Sequence, residues 1–534
     1  MKPQSPPAGA RGARFQALLA LAATCFPVSV SAVTWDNSAG TNLWSTATNW
    51  DTNVEPTSAT PVILPVGLAA TITLAATENA ASLQFDDAYT LSGGSSLVLP
   101  AGNSINVASG VSATIATPLS ITGGLSKTGT GTLILNGAST NTVGTVISAG
   151  KIRAGNAAAM GASTAVTTVN ANTTLEVANA ITLDRPITLM SGGTVAGVGA
   201  SSNIGKITID AAATSVTLAT SEVSTDVFTV GNGANDVTGG SAATVIGIGG
   251  AGAVRLGAAS NFDGSWNIPT GARLDLGATN ALGSSLTSNV TLGEGTLAGR
   301  LASATNFTVS QGNNLILTAS SSILSDRSSN GAGVAYTFGS LSMGNHTLTV
   351  APGASATSGT AGIVLGNVTL SGDPTFAVND AGATNGKLTT GSLLGGGIAR
   401  TIVKSGAGDL AVTGGSTDLP SGSSFTASGG GVVEMLFPNL GTDASVTITS
   451  AQNPFGTSSL SLTDGSLRLL ADGNGTTTAQ TFVLPVAITV GGNIELDPDR
   501  RNASNTTKTF ELPGLSVLAG STVSVAGGIA TACA

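Results

Sequence analysis

The chain has 534 residues, of which 41% are hydrophobic, 9% charged and 4% aromatic, and 73 are glycine. Low charge with substantial hydrophobicity excludes a disordered chain, and short β-branched runs separated by Gly, Asn and Ser predict an all-β fold. The formal net charge is −9, so we expect no nucleic-acid partner, because an acidic surface repels phosphate backbones.

The first 32 residues predict an export signal. A positively charged start is followed by an apolar stretch up to residue 30 and by small residues ending at Ala32. This order is typical of a signal peptide, so we expect one over residues 1–32, cleaved after Ala32, and a secreted or cell-surface location. Cleavage would leave Cys533 as the only cysteine, so no intramolecular disulfide is expected. The basic residues of the segment are Lys2, Arg11 and Arg14.

Residues 33–66 differ from the rest of the chain because they hold three of the four tryptophans, Trp35, Trp44 and Trp50. One interpretation is a carbohydrate-binding platform in which these indole rings stack on sugars. The other is an N-terminal cap, in which large apolar side chains cover the exposed end of a stacked core. We favour the cap, because terminal repeats need atypical residues to stay soluble.

From residue 67 to residue 534 the same kind of short alternating run recurs along the sequence. Apolar residues alternate with Thr or Ser in short runs such as Thr71–Leu74, Ser96–Leu99 and Thr132–Leu135. A period of two places apolar side chains on one face of a strand and hydroxyl side chains on the other. Gly, Asn and Asp between the runs supply the positive φ angles that tight corners require.

Two architectures fit such strands. A β-sandwich normally carries more aromatic anchors, whereas a solenoid stacks like on like and fills its interior with small β-branched residues. Aromatic residues are scarce after residue 90, so the sequence favours an elongated right-handed parallel β-helix, a β-solenoid, over residues 67–534. With about 20–25 residues per coil and about 4.8 Å between stacked strands, the rod would be on the order of 100 Å long.

Internal repeats support the solenoid and carry a family resemblance. The clearest copy, within residues 123–164, contains Lys127-Thr-Gly-Thr-Gly-Thr-Leu133 and later Ala149-Gly-Lys-Ile152. Looser copies lie within residues 248–300 and 403–470. The pattern resembles the autotransporter-associated β-strand repeat, whose units read Lys-x-Gly-x-Gly-x-Leu, then x-Ala-Gly-x-Leu, then Asn-x-x-Leu-Gly.

The resemblance implies a β-helical passenger region on the surface of a Gram-negative-type bacterium, exported with the outer-membrane machinery. Members of this family end in a translocator barrel, with amphipathic strands of about ten residues and a terminal Phe or Trp. Residues 521–534 instead continue the repeat texture. Two alternatives stay open: a chain truncated before its barrel, and another route out of the cell.

Little in the sequence predicts chemistry. A Ser-His-Asp triad would depend on His346, the only histidine, which lies between a turn and a strand. Zinc and similar metals need His and Cys clusters that the sequence lacks, so we expect no catalytic residue, no metal and no cofactor. A pectinase-like enzyme would need Asp and Arg or Lys converging on one solenoid face. The charged turns that could supply them are Asp497-Pro-Asp-Arg-Arg501, Asp86-Asp87 and Asp184-Arg-Pro186.

Each of these turns also fits an ordinary corner between strands, because Asp and Pro are common there and surface ion pairs are weak. We therefore expect a structural or adhesive, non-catalytic role, with extracellular glycans, matrix or other cell surfaces as partners. The alternative is a secreted polysaccharide-acting enzyme, or a carbohydrate-binding module, on a pectinase-like β-helix.

Overall fold

The computed structural model describes residues 31–221, 223–234, 236–283, 289–302, 306–308, 313–416, 418–437, 445–471, 480–499 and 508–526. Within these ranges the protein is all-β, with one short 3₁₀ turn at Ala47–Asn49 and no α-helix. The predicted signal peptide, apart from its last two residues, lies outside the described residues. No helix in the described ranges is long and apolar enough to span a membrane.

Three long sheets run through the molecule, and their strands pair in parallel. In sheets 1 and 2 each strand pairs with the next one of its sheet, whereas the later part of sheet 3 has two strands per coil, so that Thr347–Pro352 pairs with Thr375–Val378 and Ala356–Val364 with Thr384–Thr390. Sheet 1 consists of Val33–Thr34, Pro61–Leu64, Ser82–Phe85, Ser104–Val107, Leu125–Thr128, Thr145–Ile147, Thr167–Val169, Ile187–Leu189, Ile207–Ile209, Val237–Gly239 and Asn261–Phe262. Sheet 2 consists of Thr71–Leu74, Thr90–Gly93, Ser112–Ile115, Thr132–Leu135, Lys151–Ala154, Thr174–Val177, Thr194–Gly197, Ser215–Thr220, Val245–Gly249, Ser265–Ile268, Asn289–Leu292, Asn314–Leu317, Leu341–Met343, Val368–Leu370 and Leu393–Leu394.

Sheet 3 begins later in the chain and continues to its last described coil. Its strands are Thr182–Leu183, Ser202–Ile204, Val227–Val230, Ala253–Leu256, Arg273–Leu276, Thr296–Leu301, Phe307–Thr308, Ser321–Arg327, Gly331–Ala332, Ala335–Thr337, Thr347–Pro352, Ala356–Val364, Thr375–Val378, Thr384–Thr390, Thr401–Ser405, Asp409–Val412, Ser424–Ala427, Val432–Phe437, Ser459–Ala471, Ala487–Asp499, Gly514–Val517 and Thr522–Val525. The described residues also form two small sheets, one of Thr77–Asn79, Ser96–Leu99 and Leu119–Ile121, the other of Ser445–Thr447, Gln480–Val483 and Lys508–Glu511.

The strand register shows the length of one coil. In sheet 1, Leu83 lies beside Ile105 and Ile105 beside Lys127, which is a step of 22 residues each time. The step widens to 30 residues where Val216 pairs with Ile246 in sheet 2. Parallel strands stacked once per coil define a β-solenoid, so the predicted fold class is confirmed.

The core runs through the middle of the coils. In sheet 2, Leu133 lies between Ala113 and Ile152, and all three side chains are fully buried. Buried apolar residues form one cluster from Val33 to Leu496. Because each buried aliphatic side chain contributes about 1.5–3 kcal/mol, this continuous core holds successive coils together.

Corner glycines keep the coils in register. Gly129, the first glycine of the clearest repeat, has a φ of 69°, and a Cβ added there would lie 2.2 Å from the Val107 carbonyl oxygen of the preceding coil. Gly406 has a φ of 80°, and a Cβ there would lie 2.2 Å from the Val378 carbonyl oxygen. Only glycine satisfies both the left-handed conformation and the close approach of backbone.

Candidate functional site

The three N-terminal tryptophans pack against one another. Trp50 makes edge-to-face contacts with Trp35, at a centroid distance of 5.0 Å, and with Trp44, at 4.8 Å. The Trp50 Nε1–H donates to the Trp44 carbonyl oxygen at 2.8 Å. All three side chains have zero exposure. Because stacking on a sugar needs an exposed ring face, this burial favours the cap over the carbohydrate platform.

The cap is continuous with the solenoid. Val33–Thr34 pairs in parallel with Pro61–Leu64 as the first strand of sheet 1, and the Trp44 N–H donates to the Thr73 carbonyl oxygen in sheet 2 at 2.9 Å. Pro61–Leu64, which lies inside the predicted cap segment 33–66, is thus already a solenoid strand. The three tryptophans are buried members of the core cluster in the first described coil.

In the first of the predicted charged turns, the Asp87 side chain is hydrogen-bonded to backbone groups. The Asp87 carboxylate accepts from the N–H groups of Gly67 and Ala88, at 2.9 Å and 2.8 Å. These two hydrogen bonds lower the pKa of Asp87 below its usual value. Asp86 accepts from the amide of Gln84 at 3.0 Å. This turn is therefore an ordinary corner.

The other two charged segments contact the preceding coil. Arg185 is buried and donates to the carbonyl oxygens of Ala162 and Ala165, and burial lowers its pKa. Asp184 beside it is exposed. Asp497 pairs with Arg468, at 2.7 Å between Oδ2 and Nε, while positions 500 and 501 lie outside the described residues. The prediction of a turn at Asp497 is wrong, because Asp497, Pro498 and Asp499 are the last residues of the strand Ala487–Asp499 and pair with the strand before it. The other two segments do follow strands, and all three lie in widely separated coils, so the fold does not bring them together.

His346 precedes the strand Thr347–Pro352. Its carbonyl oxygen accepts from the Thr375 N–H at 3.0 Å, which links it to the next coil. Within the described ranges, no group of three His, Cys, Asp or Glu side chains is arranged to hold a metal ion.

Among the described residues, a dense group of charged side chains lies on sheet 3. We call Arg255, Arg273 and Arg300, with Asp275 and Asp326, the arginine cluster. The Asp275 carboxylate lies 2.7 Å from the Arg273 Nε, 3.4 Å from the Arg255 Nη2 and 3.6 Å from the Arg300 Nη1. The Arg300 Nε also lies 3.5 Å from the Asp326 Oδ2.

Strand register builds this cluster. Arg255 and Asp275 are partners in adjacent coils, and Ala298 is the partner of Asp275 in the following coil. Arg273 precedes Asp275 by two positions and Arg300 follows Ala298 by two, so the period of two turns every one of these side chains to the outer face. Three guanidinium groups from three successive coils thus meet over one carboxylate.

The arginine cluster is suited to binding rather than to acid–base chemistry. Asp275 has zero exposure beneath its partners, whereas the arginine side chains keep 22–31% of their surface exposed. Three guanidinium groups face two carboxylates, so one positive charge remains on an otherwise acidic protein. Planar guanidinium forks recognise carboxylate and sulfate oxygens through paired hydrogen bonds. The geometry therefore offers a small anion-binding surface.

No family model, curated protein or solved structure matches this chain.

Two further ion-pair networks lie on the outer surface. Glu176 accepts from Lys151 and Arg153, both at 2.8 Å. Burial acts to raise the pKa of Glu176, but the hydrogen bonds and charges of its two partners outweigh burial and lower it. Glu434 contacts Lys387 and Arg468, at 2.6 Å and 3.1 Å. Glu176 and its two partners lie in neighbouring coils, whereas the strand Asp409–Val412 separates Lys387 from Glu434.

The lysine of the clearest repeat, Lys127, has a buried position that composition and strand alternation did not predict. Lys127 is fully buried, and its Nζ donates to the carbonyl oxygens of Thr128, Gly129 and Ala149 at 2.7 Å, 2.7 Å and 3.2 Å. The first two acceptors are at its own corner and the third is at the corner of the next coil. Burial lowers the pKa of Lys127 to about 8.

Lys404, the lysine of the third repeat, occupies an equivalent position. It is fully buried and its Nζ donates to the carbonyl oxygens of Gly406 in its own corner and Gly430 in the next coil. Burial again lowers its pKa to about 8. The signal for this role was in the sequence, because in both copies a glycine follows the lysine two positions later.

Proposed function

We propose that this protein is a non-catalytic structural or adhesive rod, exported and then displayed on or released from the surface of a Gram-negative-type bacterium. The observation that carries the proposal is the single apolar core that runs through the stacked coils. A core of this kind makes a stiff body whose outer faces present Thr, Ser and Asn side chains to solvent. The partners we propose are extracellular glycans, matrix and other cell surfaces.

Membership of the autotransporter-associated β-strand repeat group is part of this proposal. Its support is the equivalent placement of Lys127 and Lys404, since each ties its own glycine corner to the next. The same Lys-x-Gly pattern therefore performs the same physical task in two distant repeats. Export across the outer membrane with that group's machinery belongs to the same proposal.

The test compares binding with turnover. The purified chain is incubated with immobilised polysaccharides, matrix proteins and bacterial cells, and bound protein is measured together with released sugar ends. We expect retention on one or more of these surfaces without release of new sugar ends. Polysaccharide cleavage that disappears in Asp497→Asn or Asp86→Asn would contradict the proposal and support a pectinase-like enzyme.

The arginine cluster favours a second candidate function, the binding of an anionic polysaccharide. Its guanidinium groups lie in successive coils, which stack about 4.8 Å apart, and its carboxylates are covered. Uronic acid or sulfate groups along a sugar chain supply the anions that such a surface recognises.

Affinity electrophoresis in gels containing polygalacturonate tests this candidate. We expect the chain to be retarded, and the double change Arg255→Gln and Arg300→Gln to remove most of the retardation. Arg153→Gln is the matched control, because that arginine is paired with Glu176 on another sheet. Equal retardation of both variants, or equal retardation by a neutral glucan, would rule the arginine cluster out as the binding surface.

A further inference from the structure

The outer face of sheet 1 carries no charged side chain on its described strands. The 11 strands of this sheet contain a single charged residue, Lys127, which points into the core and is fully buried. By contrast, Lys151, Arg153 and Glu176 lie on the outer face of sheet 2, and the arginine cluster lies on that of sheet 3. The lack of charge along its whole length therefore distinguishes sheet 1 from the other two long sheets.

A column of hydroxyl side chains runs along this face, and we call it the hydroxyl ladder. Strand register places its members side by side in successive coils, and only Val146 interrupts the column. All its members are half-buried, and the hydroxyl oxygens of the last two lie 3.5 Å apart. Because paired strands lie about 4.8 Å apart, the ladder offers a hydroxyl group at nearly regular intervals. Its members are Ser104, Ser126, Thr168, Thr188, Thr208 and Thr238.

Apolar surface accompanies the hydroxyl ladder. Val146, within the column, and Val166, on one side of it, are 40% and 42% exposed. On the other side, a depression of about 390 Å³ extends across three coils of the ladder. The face therefore combines hydroxyl groups with exposed methyl and thioether groups. The depression is lined by Asn170, Ala171, Met190, Ser191, Asp210 and Ala212.

This chemistry favours one class of partner. Anionic polymers and membranes are held by lysine and arginine, which the outer face of these strands lacks. Protein interfaces are anchored by aromatic and arginine side chains, and the aromatic side chains in the strands of sheet 1, Phe85 and Phe262, are buried in the core. A neutral polysaccharide presents hydroxyl groups and apolar C–H faces, and it repeats along its length as this face does.

We propose that the outer face of sheet 1 binds an extended neutral polysaccharide, which lies across the coils along the hydroxyl ladder. Serine and threonine hydroxyl groups both donate to and accept from sugar hydroxyl groups, while Val166 and Met190 contact the C–H faces. Each contact is weak, but contacts that repeat along one chain act together. This inference rests on the proposed adhesive function, and it assigns neutral glycans to a face separate from the arginine cluster.

The test is depletion of the purified full chain from solution by insoluble chitin and insoluble mannan. Binding is measured in about 1 M sodium chloride, where a Debye length of about 3 Å screens the arginine cluster. We expect binding by the unchanged chain, and at least about tenfold weaker binding by the double change Thr188→Lys and Thr208→Lys, because an ammonium group loses water against a neutral partner without compensation. The matched control is Thr194→Lys with Thr217→Lys, since these threonines are equally half-buried strand partners on sheet 2.

Thr188→Val with Thr208→Val serves where the lysine variant fails to fold, because valine keeps the β-branched shape and removes only the hydroxyl groups. The loss of their hydrogen bonds should weaken binding about fivefold or more. No binding of the unchanged chain to either polysaccharide, or equal binding by the folded sheet 1 variants and the sheet 2 control, overturns the proposal. Retention on bacterial cells or matrix proteins in that case leaves the adhesive function standing, so the two failures are distinguishable.

Discussion

Buried cations bound to backbone carbonyl groups are a recurring device at the level of single residues. Lys127, Lys404 and Arg185 are all buried, and each donates to carbonyl oxygens at a corner. A tight glycine corner leaves carbonyl groups without strand partners, and such groups must be satisfied when buried. A long side chain with several donors reaches them from inside the core. This explains why a lysine precedes the glycines in the repeat.

Replacing Lys127 with methionine tests this account. Lys127→Met keeps the approximate length of the side chain but removes three hydrogen bonds to part-buried carbonyl groups, which together should cost about 1–3 kcal/mol. We expect hydrogen exchange over residues 125–154 to accelerate about tenfold or more. Lys206→Met is the control. Lys206 is exposed, so replacing it should change the free energy of unfolding little. Equal exchange in the two variants would show that the carbonyl contacts do not hold the corner.

At the level of elements, a corner glycine is indispensable only where the preceding coil closes over it. Gly129 and Gly102 both have positive φ angles, of 69° and 77°. A Cβ at Gly129 would meet Val107, whereas a Cβ at Gly102 would meet nothing within 4 Å. Gly102→Ala should therefore cost only the conformational strain, about 1–2 kcal/mol. Gly129→Ala should cost clearly more, because a strand must shift. Thermal unfolding midpoints and soluble yield measure the difference, and equal losses would contradict it.

The outer face of sheet 3 supplies a second prediction for elements. Asp275→Asn removes the carboxylate over which three arginines meet, and breaking a buried ion pair costs about 3–5 kcal/mol. We expect faster hydrogen exchange in residues 253–256, 273–276 and 296–301. Asp263→Asn is the control, because Asp263 is an exposed carboxylate in the same coil. Unchanged exchange in the Asp275 variant would show that the cluster is not stabilised by its buried charge.

The strands could be predicted from the sequence, but the contacts between residues of different coils could not. Alternation in runs such as Thr132–Leu135 was enough to assign the inward and outward faces, because that pattern is local. The arginine cluster was missed because it depends on register between coils, and the coil length varies between steps such as Leu83 to Ile105 and Val216 to Ile246. Residues that lie 18 to 27 positions apart reveal their contact only when each coil length is known. The charged segments were noticed because their charged residues are adjacent in the chain. Adjacent residues in one segment do not show that different segments meet in the fold.

At the level of the whole molecule, a stacked core has two ends, and each end exposes apolar surface unless something covers it. The three tryptophans of the predicted cap lie in the first described coil and are fully buried. Near the last described coil, Leu515, Val517, Leu518 and Val525 are between 36% and 52% exposed. The two ends of the described stack therefore differ in the exposure of their large apolar side chains.

Removing one cap tryptophan should consequently have an effect that removing a core tryptophan lacks. Trp44→Ala and Trp266→Ala each delete a fully buried indole, and each should cost about 3–5 kcal/mol locally. Only Trp44→Ala opens the end of the stack, where neighbouring copies can meet. We expect Trp44→Ala to self-associate in light scattering and to lose exchange protection over residues 33–107, whereas Trp266→Ala stays monomeric with loosening near residues 245–292. Both changes remove a side chain of the same size. If the two variants self-associate equally, the N-terminal tryptophans fill the core but do not shield its end from other copies.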